Sequence, residues 1–287
     1  MTNNVYGFIG LGNMGAAMCS NLTKSGIEIV CYDVAGTAER APAGARVANN
    51  ILDVAMGADT IFLSLPDGPI VIDVTQEIGK IVNRKCQTIV DLSTTGPETS
   101  VKVGSSLALE NIIFIDAPVS GGKSGAIAAT LALMCSGPDD SIENLTEVFN
   151  IIAGNVIQVG QHPGQAQAMK LLNNFLSATA MAATSEATIF GLSHGLEMET
   201  ILSVLNVSSG RNTSTEDKFP KRVLSGTFDA GFTTLLMSKD VSLYHEQVMK
   251  AKTPNSIVNA VSSLWKETNS ALPNSDFTEI YRYLSET

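Results

Sequence analysis

Through its first 160 residues the chain alternates short apolar runs with longer stretches of mixed polarity. The runs VYGFIG (5–10), IEIVCYD (27–33), TIFLSLP (60–66), QTIVDLS (87–93), IIFIDAP (112–118), TLALMCS (130–136) and NVIQVG (155–160) are rich in Val and Ile. Near-continuous apolar strands of this kind are buried on both faces. Helix-length segments separate most of them, so the pattern predicts a mainly parallel sheet covered on both sides by crossover helices. The later runs lie closer together, as antiparallel edge strands would.

Beyond residue 163 the strand pattern stops, and Ala, Leu, Met and Ser dominate. Segment 163–192 reads as one helix of about 28 residues, roughly 42 Å long. That exceeds what one small domain needs, so this helix is expected to bridge two domains. Further helices are expected over 197–206, 233–252, 255–269 and 276–285. The expected organisation is a doubly wound α/β domain over 1–162, an interdomain helix over 163–192, and an all-helical domain over 193–287.

Composition narrows the function classes. With 287 residues, 44% apolar and 16% charged, the chain can bury one large or two modest cores. Its net charge of −10 disfavours nucleic acid and anionic membranes as partners. A small anionic substrate held by a few local cations stays compatible with that field. Cys19, Cys31, Cys86 and Cys135 are widely spaced with no C-x-x-C, the pattern of buried thiols in a reducing compartment. His162, His194 and His245 show no metal-ligand spacing, so no metal is expected. The N-terminal stretch lacks a basic n-region and an Arg-rich transit pattern, and no window is apolar enough to span a bilayer. The expected location is cytoplasmic.

Three clusters carry candidate chemistry. Gly10, Gly12 and Gly15 form G-x-G-x-x-G between a predicted strand and a predicted helix, the context that turns a common glycine pattern into a dinucleotide loop. Gly10 permits the tight turn, Gly12 lets backbone approach a pyrophosphate, and Gly15 lets helix and strand close up. Leu11, Asn13 and Met14 complete the loop, and the helix start offers free N–H groups and a positive dipole end. Asp33 closes the second predicted strand 23 positions after Gly10. A carboxylate there accepts from the adenosine ribose hydroxyls and repels a 2′-phosphate, and the nearest following arginine is Arg40. NAD is therefore expected over NADP, in a Rossmann-type domain.

Ser120, Gly121 and Gly122 follow a predicted strand, and the N–H groups of such a loop can surround an anion. Lys170 interrupts a mostly apolar helix, with Asn173 and Asn174 one turn on. A helix lysine ordinarily snorkels to water. A partly buried one beside amides can hold a substrate hydroxyl and exchange its proton, because burial lowers a lysine pKa towards neutrality. Lys239 and Asp240 break a third apolar helix: a surface ion pair, or a lysine reaching for the cofactor with Asp240 orienting it.

Taken in order, GFIGLGNMG, Leu65–Pro66, DLSTTGP (91–97), DAPVSGG (116–122), GQAQAMKLLNN (164–174) and Lys239–Asp240 resemble the β-hydroxyacid dehydrogenase family over essentially the whole chain. The resemblance implies that Leu65 and Pro66 line the ribose side of the cofactor and Thr94 lies near the nicotinamide. It implies that Ser120, Gly121 and Gly122 hold the substrate carboxylate. Lys170 would be the proton carrier, Asn174 would place the reacting oxygen, and Phe232 and Lys239 would close over the nicotinamide end. Implied too are a small carboxylate partner and a homodimer or homotetramer. The activity expected is hydride transfer between NAD and a small β-hydroxy carboxylate such as 3-hydroxyisobutyrate or glycerate. The alternatives are a reductase of glyoxylate or succinic semialdehyde, and a dinucleotide-binding sensor without turnover. Departures from the family pattern are Ala129-Thr130-Leu131 where Gly-Thr-Leu is common, Thr95 where Ile is common, and Lys123 directly after the cradle. The polar stretch 208–219 with Arg211 stands as a candidate for shaping the pocket.

Overall fold

Residues 4–286 are described by the computed structural model, and strand and helix alternate along its first half. In chain order these are β1 (Tyr6–Ile9), α1 (Asn13–Lys24), β2 (Ile29–Tyr32), α2 (Thr37–Arg40), β3 (Arg46–Val47), α3 (Ile51–Gly57), β4 (Thr60–Leu63) and α4 (Gly68–Lys80). They continue with β5 (Thr88–Asp91), α5 (Pro97–Leu109), β6 (Ile113–Asp116), β7 (Val119–Ser120), α6 (Gly122–Ala128), β8 (Leu131–Ser136), α7 (Asp139–Ile152) and β9 (Ala153–Gly160). One sheet takes them in the order β3-β2-β1-β4-β5-β6-β8-β7, with β9 paired to β8. From β3 to β6 every pairing is parallel. Strand β8 runs antiparallel to β6 and β7, and β9 lies parallel to β8. The antiparallel pairings fall among the closely spaced later runs, where the connection from β7 to β8 holds only the seven-residue helix α6.

Strand alternation splits the core into two layers. Phe8, Ile29, Cys31, Phe62, Val90 and Ile115 face one cluster with α1 and α7. Their neighbours Ile9, Val30, Ile61, Leu63, Ile89 and Phe114 face the other, with α3, α4 and α5. The chain leaves β1 to one side for β2 and β3, then returns to the other side for β4. This reversal falls at β1 and β4, and doubly wound sheets bind ligands beyond the C-terminal strand ends at such a point.

The second half is helical: α8 (Gln165–Ser193), α9 (Met198–Asn206), α10 (Thr234–Ala251), α11 (Ser256–Ala271) and α12 (Ile280–Glu286). Its core gathers Ala178, Met181, Leu202, Phe219, Met237, Val241, Trp265 and Ile280. The chain divides into two compact units, Met1–Lys170 and Leu171–Thr287, so the division falls inside α8. No described helix is long and apolar enough to cross a membrane.

Four elements differ from the sequence expectation. The two-residue strands β3 and β7 are too short to show a period. The polar stretch 208–219 leads into a wide π-type helix, Ser214–Val223, whose Pro220 lacks the N–H an α-helix would use. Within 276–285 the chain opens with a tight 3₁₀ turn, Phe277–Glu279, before α12.

Candidate active site

The glycine loop sits at the C-terminal end of β1, where the strand order reverses. Each glycine meets a different constraint. Gly10 has φ +94°, and a Cβ there would lie 2.2 Å from the Ser64 carbonyl oxygen. At Gly15 a Cβ would lie 2.0 Å from the Gly10 carbonyl oxygen, so any side chain would push α1 off the loop. At Gly12 a Cβ would meet nothing within 4 Å, so this backbone faces open space at the start of α1. Leu11 has its side chain in the core and its N–H donating to Asp33 Oδ2 at 2.6 Å. Asn13 is exposed and Met14 half-buried.

Asp33 is built in. Its Oδ1 accepts the Ala35 N–H at 2.8 Å, its N–H donates to Thr37 Oγ1 at 3.0 Å, and Arg40 Nε lies 3.8 Å from Oδ1. Each oxygen therefore keeps a lone pair for a further donor. The arginine that sequence spacing set apart stands beside the carboxylate.

A row of hydrogen bonds links the neighbouring strand ends. Leu65 packs beside Gly10, and its N–H donates to Ser93 Oγ at 2.8 Å. Thr94 is half-buried in the loop between β5 and α5. Gln167 on α8 reaches into that loop: its Oε1 accepts from the N–H groups of Thr95 at 2.9 Å and Gly96 at 3.2 Å, and its Nε2 donates to the Ser93 carbonyl at 2.8 Å. At the end of β6, Asp116 Oδ2 accepts the N–H groups of Gly164 at 3.0 Å and Gln167 at 3.2 Å. Its Oδ1 accepts from Ser136 Oγ, which in turn accepts the Ala166 N–H at 3.0 Å. Asp116 and Ser136 together thus cap the first turn of α8. Burial pushes the Asp116 carboxyl above the usual carboxylate range, against the opposing pull of these hydrogen bonds.

Ser120 ends β7, and Gly121 and Gly122 turn into α6 with φ of +136° and +65°. Lys123 follows, exposed. Among the residues that α8 buries, Gln167, Lys170, Leu171, Asn174, Ala178, Met181, Ser185 and Thr188 recur at helical spacing. Lys170 is 6% exposed and Asn174 7%, so both lie on the inward stripe rather than on a solvated face.

In the helical unit, Asn174 Nδ2 donates to Asp240 Oδ2 at 2.6 Å, and Asn174 Oδ1 accepts from Asn173 Nδ2 at 3.1 Å. Asp240 is 2% exposed and its Oδ1 lies 3.3 Å from Lys239 Nζ. One carboxylate therefore orients both the amide and the lysine. Phe232 is half-buried against Phe277. Arg211 lies exposed in an ion pair with Glu216 at 3.5 Å. Among the described residues no group of three or more His, Cys, Asp or Glu side chains is placed to hold a metal.

Sequence reasoning passed over Gln167 and Asp116. The available signal was a polar residue three positions before Lys170, on the same face of α8.

Residues 5–160 match the family model described as the NAD binding domain of 6-phosphogluconate dehydrogenase. Residues 164–284 match the model described as NAD-binding of NADP-dependent 3-hydroxyisobutyrate dehydrogenase. A 2-(hydroxymethyl)glutarate dehydrogenase of Eubacterium barkeri is 36% identical over 86% of this chain and 83% of its own. The mitochondrial 3-hydroxyisobutyrate dehydrogenase of Mus musculus is 32% identical over 98% of this chain and 87% of its own. Among solved structures, Mycobacterium tuberculosis 3-hydroxyisobutyrate dehydrogenase with L-serine superposes with a TM-score of 0.89 at 26% identity, covering 98% of this chain and 99% of that one.

Proposed function

The chain belongs to the β-hydroxyacid dehydrogenase family and is an NAD-dependent hydroxyacid oxidoreductase, and from that premise we propose how its own residues divide the work. The substrate class is a short β-hydroxy carboxylate. The observation that carries the reading is the burial of Lys170 on the inward stripe of α8, one turn before Asn174.

The glycine loop suits a dinucleotide: open space at Gly12 and a tight turn at Gly10 leave room for a pyrophosphate at the start of α1. Gly10, Gly12, Asn13, Met14 and Gly15 would hold it, with Leu65, Pro66 and Thr94 along the neighbouring strand ends. Leu11 contributes by fixing Asp33. The Asp33 carboxylate holds the adenosine ribose, which favours NAD. When bound, the nicotinamide ring supplies hydride acceptance and donation.

The N–H groups of the Ser120-Gly121-Gly122 turn and the Ser120 hydroxyl dock the substrate carboxylate. Lys170 Nζ takes the alcohol proton on oxidation and returns it to the carbonyl oxygen on reduction. Asn174, oriented by Asp240, positions the reacting oxygen. Phe232 and Lys239 are assigned to the cofactor by the family resemblance alone. The resemblance also supports a homodimer or homotetramer, and four buried, unpaired cysteines are compatible with the reducing cytoplasm.

A screen of NADH formation over 3-hydroxyisobutyrate, glycerate, L-serine and 2-(hydroxymethyl)glutarate tests the reading. The dicarboxylate is included because exposed Lys123 directly follows the cradle. Turnover of at least one acid is expected. Binding of NADH with no turnover of any of them would favour a dinucleotide sensor.

A further inference from the structure

Gln167 carries no proton and no hydride in the chemistry above, yet its side chain is tied by three hydrogen bonds to the loop between β5 and α5. It is fully buried. Three of its four amide hydrogen-bonding sites go to one loop, through the Thr95 N–H, the Gly96 N–H and the Ser93 carbonyl. That loop contains Thr94. Ser93 passes the connection on to Leu65 through its hydroxyl. The backbone N–H of Gln167 is held by Asp116 at the end of β6, four residues before the substrate cradle begins. One residue therefore joins the ends of β4, β5 and β6 to the first turn of the helix that bears Lys170.

We infer that Gln167 is a positioning residue: its amide sets the register between the loop bearing Thr94 and the helix turn bearing Lys170, and so between hydride transfer and proton transfer. This rests on the function proposed above. Thr95 and Gly96 immediately precede α5, whose own cap supplies no side-chain acceptor. Removing the amide leaves two donors and one acceptor buried without partners, and the loop must shift to rehydrate them. Displacements of about 1 Å can slow an aligned reaction by about 10². A residue that only capped α5 would affect stability and leave the chemical step alone.

The test compares Gln167→Leu with the near-isosteric Gln167→Glu, which keeps both acceptor bonds and loses the donor to Ser93. The probes are 3-hydroxyisobutyrate deuterated at its hydroxymethyl carbon and NADH. Folding of each variant is checked by circular dichroism. In Gln167→Leu, kcat should fall about tenfold or more and the primary isotope effect on kcat should rise above wild type. The Kd for NADH should stay within about threefold. Gln167→Glu should show a smaller loss of kcat with a correspondingly smaller rise in isotope effect. Wild-type kcat and isotope effect in either folded variant would overturn the inference, and should Gln167→Leu fail to fold, Gln167→Glu decides alone. Wild-type protein that does not turn the probe over contradicts the choice of substrate. The nicotinamide fluorescence of bound NADH then decides the positioning claim: a changed yield in the variants supports it, and an unchanged one overturns it.

Discussion

Asp33 performs two tasks with one carboxylate. It fixes the glycine loop through the Leu11 N–H and stands 3.8 Å from Arg40. Neutralising it leaves the guanidinium without its anion, beside the position a 2′-phosphate would take. Asp33→Asn should therefore shift the NADP/NAD ratio of kcat/KM upward by about tenfold or more, since a like-charge clash costs several kcal/mol. An unchanged ratio would show that the carboxylate does not set the preference. Asp116 is the converse case, a carboxylate whose burial outweighs its hydrogen bonds. Its folded pKa is raised above the unfolded value, so the native state binds the extra proton in the window between them. Its contribution to stability is therefore lost as pH rises from about 4 through the folded pKa. Urea denaturation across that range should show a shallower decline for Asp116→Asn than for wild type, and parallel curves would contradict the assignment. Both carboxylates stand in the sequence, but only Asp33 was legible there. Its partners lie in a loop of known pattern, whereas Gln167 meets Thr95 across 72 residues and Gly164 meets Asp116 across 48. Side-chain bonds of that span leave no periodic trace.

The elements themselves were easier to read, because apolar period and turn chemistry act locally. Strands β1, β2, β4, β5 and β6 fall within their expected runs. Helix α8 spans Gln165–Ser193, against an expected 163–192. Short pieces escaped: two-residue strands have no period, and the π-type helix depends on how Phe219 and Val223 reach the helical core. Helix α6 shows what a departure from the family pattern does. It ends on Ala129, held left-handed at φ +55°, where the family commonly has glycine. A left-handed non-glycine residue costs about 1–2 kcal/mol, offset in part by the greater freedom of glycine in the unfolded chain. Ala129→Gly should stabilise the protein by about 0.5–1 kcal/mol in urea denaturation. A loss of stability would mean that the helix end is held by something other than its backbone.

At the scale of the whole molecule, sequence order supplied the class of fold and the succession of motifs, and the parallel strand order places the glycine loop, Leu65 and Thr94 after the same ends of β1, β4 and β5. The helical unit leaves Phe190 66%, Leu196 51%, Val204 56% and Val207 87% exposed, all between the end of α8 and the residue that follows α9. Scattered apolar residues need no explanation, whereas a contiguous apolar patch would suit an interface between copies of the chain. Sedimentation at micromolar concentration should give a dimer or tetramer, and Phe190→Glu should lower the assembly state; a wild-type monomer would contradict this. The central claim is that the buried ammonium of α8 moves the proton. Lys170→Ala tests it most directly, with kcat and the Kd for NADH measured side by side. The account predicts that kcat falls by about 10² or more while Kd changes by less than about threefold. Near-normal kcat in a folded Lys170→Ala protein would contradict it.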